Sequence, residues 1–203
     1  MATYPTTPIP SAPYQTNDTF KTLQSPEYDS GIVITKSLRN YPKYSVTLTY
    51  GMGNSAADIQ TLYQFFLDHK GSATTFTFID FMTAAWPRLY AAVGNASTQI
   101  FDVPMAASTS YTLWVDGVDQ VATYEGSGGG APSAGHWKFY SAAGTGGRDQ
   151  IKFGTAPALG KLIEWKATGQ RVINARFSGD VMSLQTFYAS LATTGLTINE
   201  VKG

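Results

Sequence analysis

Lys43–Phe81, KYSVTLTYGMGNSAADIQTLYQFFLDHKGSATTFTFIDF, is the stretch whose reading decides the fold. Tyr44, Val46, Leu48 and Tyr50 alternate with Ser45, Thr47 and Thr49. A period of two gives one apolar and one hydroxyl face, so the spacing predicts a half-buried strand. Gly51 and Gly53 break it. Ser55 then stands where a hydroxyl can cap the free amides of a helix, and Asp58 adds negative charge in the first turn. Ile59, Leu62, Tyr63 and Phe66 follow at helical spacing, with Phe65 widening the stripe. Lys70 lies at the far end and Gly71 is a left-handed stop. Thr74–Phe81 resumes as a strand with Phe76 and Phe78 on one face. Strand, capped helix and strand in this order predict a helix packed on a sheet.

Outward from this segment the chain is β-rich. Residues 1–14 contain Pro5, Pro8, Pro10 and Pro13 and read as an extended arm with Tyr4, Ile9 and Tyr14 as anchors. The arm is either a loose start or a strap lying across a neighbour. Ile32–Leu38 is a short β run, followed by a connector with Arg39 and Tyr41. From 86 to 167 short β runs alternate with Gly, Pro and Ser clusters: Gln99–Val103, Tyr111–Val115, Val118–Tyr124, His136–Tyr140, Gln150–Phe153 and Lys161–Lys166. Asp116-Gly117 is a two-residue hairpin signal, because a type I′ turn needs positive φ at both positions. Gly126–Gly135 reads as a flexible loop. Strands follow at Arg171–Phe177, Val181–Ser190 and Leu196–Val201. The expected architecture is mainly β with one helix: a first domain from residues 15–85 and 168–203, interrupted by an inserted β-sandwich or barrel module at 86–167.

Composition narrows the function classes. The chain has 203 residues, enough to bury roughly 70% of its unfolded surface. Lys plus Arg equals Asp plus Glu at 14 each, so there is no basic excess for nonspecific nucleic-acid binding. Charged residues make up 14% of the chain, well under the roughly 25% of ordinary domains. A surface covered by neighbouring subunits explains the deficit; so does a secreted β-protein with a Ser, Thr and Gly surface. Cysteine is absent, which removes disulfides, thiolate metal sites and cysteine nucleophiles. No apolar run approaches the ~20 residues of a membrane span, and no signal-peptide pattern opens the sequence. The expected place of synthesis is a cytoplasm.

The order of motifs resembles a family of bacteriophage distal tail proteins and related minor tail proteins of long non-contractile tails. "ADIQTLYQFFLDHKG" followed by "TTFTFID" is similar to that family's helix–Gly–strand segment, with Leu62, Phe65, Phe66, Gly71, Phe76, Phe78 and Asp80 at the matching places. "TLWVDGVDQ" and "QIKFGTAPALGKLIEW" resemble its β-modules at Val115–Val118 and at Thr155, Ala156, Pro157 and Gly160. "INARFSGDVMSL" and "LTINEVKG" resemble its closing segments at Arg176, Phe177, Asp180, Glu200, Val201 and Lys202. Three features depart from it: fewer arginines before the helix, a longer Gly-rich stretch at 126–147, and Thr197 in place of a proline. The resemblance runs from about Tyr14 onward. It implies a tail-tube-like β-sandwich flanked by a helix, in a homohexameric ring at the distal end of the tail tube. Its implied partners are sister copies, the tail-tube protein, and the hub and fibre proteins of the tip. It implies location in the virion after synthesis in the host cytoplasm. Genome DNA would pass through the lumen without specific recognition.

Reactive sites are scarce. His69 and His136 stand alone, with no ligand spacing of a metal site. No Gly-x-Ser-x-Gly elbow points to a hydrolase, and the Gly126–Gly130 loop lacks the Gly-Lys-Ser/Thr of a phosphate cradle. No cofactor, metal or catalytic residue is expected. Candidate inter-subunit contacts are Tyr4, Ile9, Tyr14, Arg39 and Tyr41. The competing function is a carbohydrate-binding adhesion module that uses exposed aromatics of 86–167, with Trp114 and Trp137 as candidates for glycan or protein contact. A hydrolase acting on cell wall is the third class.

Overall fold

The computed structural model describes residues 2–24, 35–38, 42–51, 54–188 and 191–201. In chain order the strands are β1 (Ser11–Thr19), β2 (Thr22–Gln24), β3 (Thr35–Ser37), β4 (Lys43–Tyr50), β5 (Phe76–Val93), β6 (Ile100–Asp102), β7 (Met105–Val115), β8 (Val118–Asp119), β9 (Tyr124–Ser127), β10 (Trp137–Tyr140), β11 (Gln150–Phe153), β12 (Leu162–Phe177), β13 (Leu184–Tyr188) and β14 (Leu191–Glu200). Helix α1 (Ala56–Asp68) lies between β4 and β5. The fold is mainly β with a single helix among the described residues. The chain divides into two compact units, Thr77–Ile173 and the discontinuous pair Ala2–Phe76 with Asn174–Gly203.

The discontinuous unit is built on an antiparallel array in the order β1-β4-β14-β12, with β13 on β14. β4 alternates as its sequence does: Tyr44, Val46, Leu48 and Tyr50 are buried. On its other face the Thr47 and Thr197 hydroxyls meet at 3.2 Å across the β4–β14 pair. Ser55 caps α1, its Oγ accepting from the Asp58 amide at 3.2 Å and donating to the Asp58 carboxylate at 2.6 Å. α1 buries Ile59, Leu62 and Phe66 and lies against β14. The helix ends through two left-handed residues, Lys70 (φ 51°) and Gly71 (φ 60°). Phe65, Phe66, Phe76 and Phe177 form an aromatic cluster with centroid separations of 4.9–6.2 Å.

Tyr4 completes that cluster, which corrects its assignment as an inter-subunit anchor. It is 3% exposed, sits 5.5 Å from Phe65 and 5.8 Å from Phe76, and its hydroxyl meets that of Tyr50 at 2.9 Å. A tyrosine finding both an apolar slot and a buried partner for its hydroxyl is held in its own unit. Part of the arm, too, is strand: β1 starts at Ser11 and pairs with β4 from Ser11↔Thr49 to Thr19↔Lys43. Ile9 stays 71% exposed. Tyr14 is half-buried on β1. Arg39 and Tyr41 lie outside the described residues, as do Ile32–Ile34 of the expected Ile32–Leu38 run.

The Thr77–Ile173 unit holds a second sheet, β6-β11-β10-β9, antiparallel except for the parallel β9–β10 pair. It also holds the β12-β7-β8 pairing, with β5 on β12. Its core contains Met105, Leu113, Phe139, Ile151, Ile163 and Trp165. Tyr111, Phe139 and Trp165 stack with interplanar angles of 10–27°. The expected module ran 86–167, whereas the compact unit runs 77–173. Two strands are longer than their patterns foretold. β5 continues past Phe81 to Val93, and Lys161–Lys166 and Arg171–Phe177 merge into β12. The Asp116-Gly117 turn has φ of 53° and 81°, as a type I′ hairpin needs. Its return strand is short: β8 gives way to a 3-10 turn at Val121–Thr123 before β9.

Candidate functional site

Asp80, Asp180 and Glu200 of the shared motifs act as braces. Asp180 accepts from the Ser72 amide at 2.8 Å and the Ser72 hydroxyl at 2.5 Å, fixing the turn that follows α1. Those hydrogen bonds hold its carboxyl below the ordinary aspartate range. A Cβ on Gly71 would lie 2.8 Å from Asp180 Oδ1 and 2.9 Å from its Cα, so the motif glycine serves both a left-handed backbone and a close approach. Glu200 accepts from the Tyr44 amide at 2.9 Å. Asp80 is buried and accepts from the Met82 amide at 2.9 Å.

Asp149, which no sequence pattern singles out, is a buried carboxylate with several partners. It is fully buried and accepts from the Ser108 amide at 2.7 Å, the Ala142 amide at 2.8 Å and the Ser141 hydroxyl at 3.2 Å. It braces β7 where the β7–β12 register shifts and Ala107 and Ser110 take positive φ. A buried carboxyl group is tolerated when its oxygens are hydrogen-bonded, and here they are.

One open cleft of about 410 Å³ lies in the Thr77–Ile173 unit. The two module motifs meet there: Val115, Asp116 and Val118 on one side, Thr155, Pro157 and Ala158 on the other, with Phe153, His136 and Lys161 completing it. Close backbone approach holds the segments next to its lining residues. A Cβ on Gly154 would lie 1.8 Å from the Ser133 carbonyl oxygen, and one on Gly94 2.4 Å from that of Ala158. The volume is in the range of ligand clefts, but its polar groups are already engaged. Lys161 pairs with Asp116. Thr155 Oγ1 accepts from the Gly135 amide at 3.1 Å, and the Gln120 carbonyl accepts from Trp137 Nε1 at 2.7 Å. His136 Nδ1 lies 3.2 Å from the Ala134 carbonyl oxygen and 3.5 Å from Glu125 Oε1. Hydrogen bonds from the Ser133 side chain and amide hold the Glu125 carboxyl below its usual range. His69 caps α1, its Nδ1 2.8 Å from the Phe65 carbonyl oxygen and its ring against Phe65 and Phe76. Both histidines are bonded to carbonyl or carboxylate oxygens rather than to a hydroxyl nucleophile.

The aromatic candidates do not form a sugar platform. Trp137 is 2% exposed, set among Tyr124, Tyr111 and Trp165, which corrects its assignment as a contact residue. Its period-two neighbour Phe139 is buried with it, so both rings lie on the inward face of β10. Trp114 does lie on the face opposite Leu113. There Arg88 covers its ring at 4.7 Å and is itself held by Glu164 at 2.8 Å. The glycine-rich stretch is also more ordered in its bonding than a loop: the Gly128 amide bonds the Phe139 carbonyl at 2.7 Å and Tyr140 donates to Gly130 at 2.8 Å.

Among the described residues no three His, Asp or Glu side chains gather as a metal set, and no helix is long and apolar enough to cross a membrane. No family model matches the chain, and no curated protein matches it in sequence.

Proposed function

We propose that this chain is a structural subunit of a bacteriophage tail tip, forming a homohexameric ring at the distal end of the tail tube and joining it to the hub and fibres. The observation that carries this reading is the chain's organisation. A helix-flanked antiparallel unit is assembled from both ends of the sequence and interrupted by a second β-unit at 77–173. The resemblance implies that arrangement for distal tail proteins. The bracing of backbone by the motif acids Asp80, Asp180 and Glu200 supports it, since a protein whose work is mechanical needs fixed turns rather than reactive groups. The low charge content suits surfaces that meet copies of themselves. The buried Trp137 and the Arg88-covered Trp114 speak for this function over sugar binding.

Light scattering and electron microscopy of the purified chain, alone and with the tail-tube protein of the same particle, test the reading. The expected result is a closed ring that seats on tube ends. A chain that stays monomeric at high concentration with tube protein present overturns it.

A further inference from the structure

Two surfaces of the discontinuous unit leave apolar side chains in solvent, and their charges are opposite. The first is the β2–β3 ribbon, a two-stranded sheet of its own whose strand residues are all exposed. Leu23 stands opposite Lys36, and the Leu38 amide bonds the Lys21 carbonyl at 2.8 Å, which extends the register by one pair. Opposed residues of an antiparallel pair share a face, and alternate residues return to it. Lys21, Leu23, Lys36 and Leu38 therefore form one face, with leucines on one diagonal and ammonium groups on the other. Leu23 is 57% exposed and Leu38 45%. A two-stranded ribbon is marginal in water, and no third strand pairs with this one among the described residues, so it gains from a cover.

The second surface is the outer face of α1. Gln60, Tyr63, Gln64, Leu67 and Asp68 are exposed and fall at i, i+3, i+4, i+7 and i+8, which is one stripe. Tyr63 is 38% exposed and Leu67 47%. Asp68 is the charge on this stripe, Asp58 falling on the side of the buried Leu62, and the helix holds no cation between Ala56 and Asp68. Gln64 Nε2 donates to Asp68 Oδ1 at 2.7 Å, orienting that carboxylate at the end of the stripe.

We propose that the β2–β3 face of one copy docks on the outer face of α1 of the next. Leu23 and Leu38 cover Tyr63 and Leu67, and the ammonium groups of Lys21 and Lys36 face Asp68 at the end of the stripe. The occupant is a second copy because the ribbon's charge and apolar pattern finds its complement within this same chain. A formal net charge of zero also leaves no overall repulsion between copies. The two surfaces differ, so the contact is heterologous and passes from copy to copy in one direction, as a closing ring requires. This inference rests on the ring reading and assigns its interface.

Charge swapping tests it. Lys21→Glu with Lys36→Glu, or Gln64→Lys with Asp68→Lys, should raise the concentration needed for assembly on the order of tenfold. Combining all four should restore assembly to within about threefold of the original. Circular-dichroism melts confirm that each variant is folded. An independent arm needs no charge change: the chain has no cysteine, so mixing a Leu23→Cys chain with a Leu67→Cys chain should give a mixed disulfide dimer under oxidation. If the unaltered chain assembles while the charge variants assemble equally well and no mixed dimer forms, the interface is overturned and the ring stands. If the unaltered chain stays monomeric even with tube protein, both fall.

Discussion

The residue scale is governed by two buried polar groups that sequence reading ranks poorly, Asp149 and Tyr4. Replacing Asp149 with alanine strands the buried Ser108 amide and takes the acceptor from the part-buried Ala142 amide. Each unsatisfied buried group costs roughly 1–3 kcal/mol, so Asp149→Ala should lose about 3 kcal/mol in urea denaturation. Tyr4→Ala removes a buried ring at about 4 kcal/mol, and Tyr4→Phe only its hydroxyl bond at about 1 kcal/mol. The tyrosine pair also sets an alkaline limit. Burial first, then the facing Tyr50, push the Tyr4 hydroxyl well above its ordinary value of 10.0. Burial raises Tyr50 as well. Above pH 10 the unfolded chain releases these protons while the folded chain keeps them, so the contributed stability is complete below pH 10 and declines as pH rises. Tyr4→Phe should make that decline shallower by one proton, measured as the pH slope of the denaturation free energy.

At the scale of elements, the local signals that were legible are those whose chemistry closes within a few residues. The Ser55 cap, the α1 stripe, the β4 alternation and the Asp116-Gly117 turn all form from neighbours in sequence. The stop after α1 was legible only in part. Gly71 could be read as a left-handed residue, but its close approach to Asp180 joins positions 109 apart in sequence (180 less 71). Gly71→Ala should therefore cost about 2 kcal/mol, more than Ser55→Ala at about 1 kcal/mol, in thermal or urea unfolding. Equal losses would remove the role assigned to the Asp180 contact. The long strands were not legible because Pro87 and the Ala-Thr-Gly run at 167–169 read locally as breaks. Strand pairing overrides such local preference: β12 is paired on both of its stretches and continues through Gly169.

For the whole molecule, neutrality and scarce charge frame self-association as the expected behaviour. With a sequence pI of about 6.7, light-scattering mass at fixed concentration should be greatest near that pH and fall away from it on both sides. A mass independent of pH would separate assembly from net charge. The sequence by itself determined the mainly-β class, the single capped helix and its buried stripe, and the want of thiol chemistry, because periodicity, capping and composition act over a few residues or none. Only the tertiary structure decided that Tyr4 belongs to the core, that Trp137 is buried and Trp114 covered, that the two module motifs share one cleft, and that Asp149 holds a bulge. Each of these depends on which distant groups satisfy a large ring or a buried charge, and pairing across tens of residues leaves no local periodicity to read.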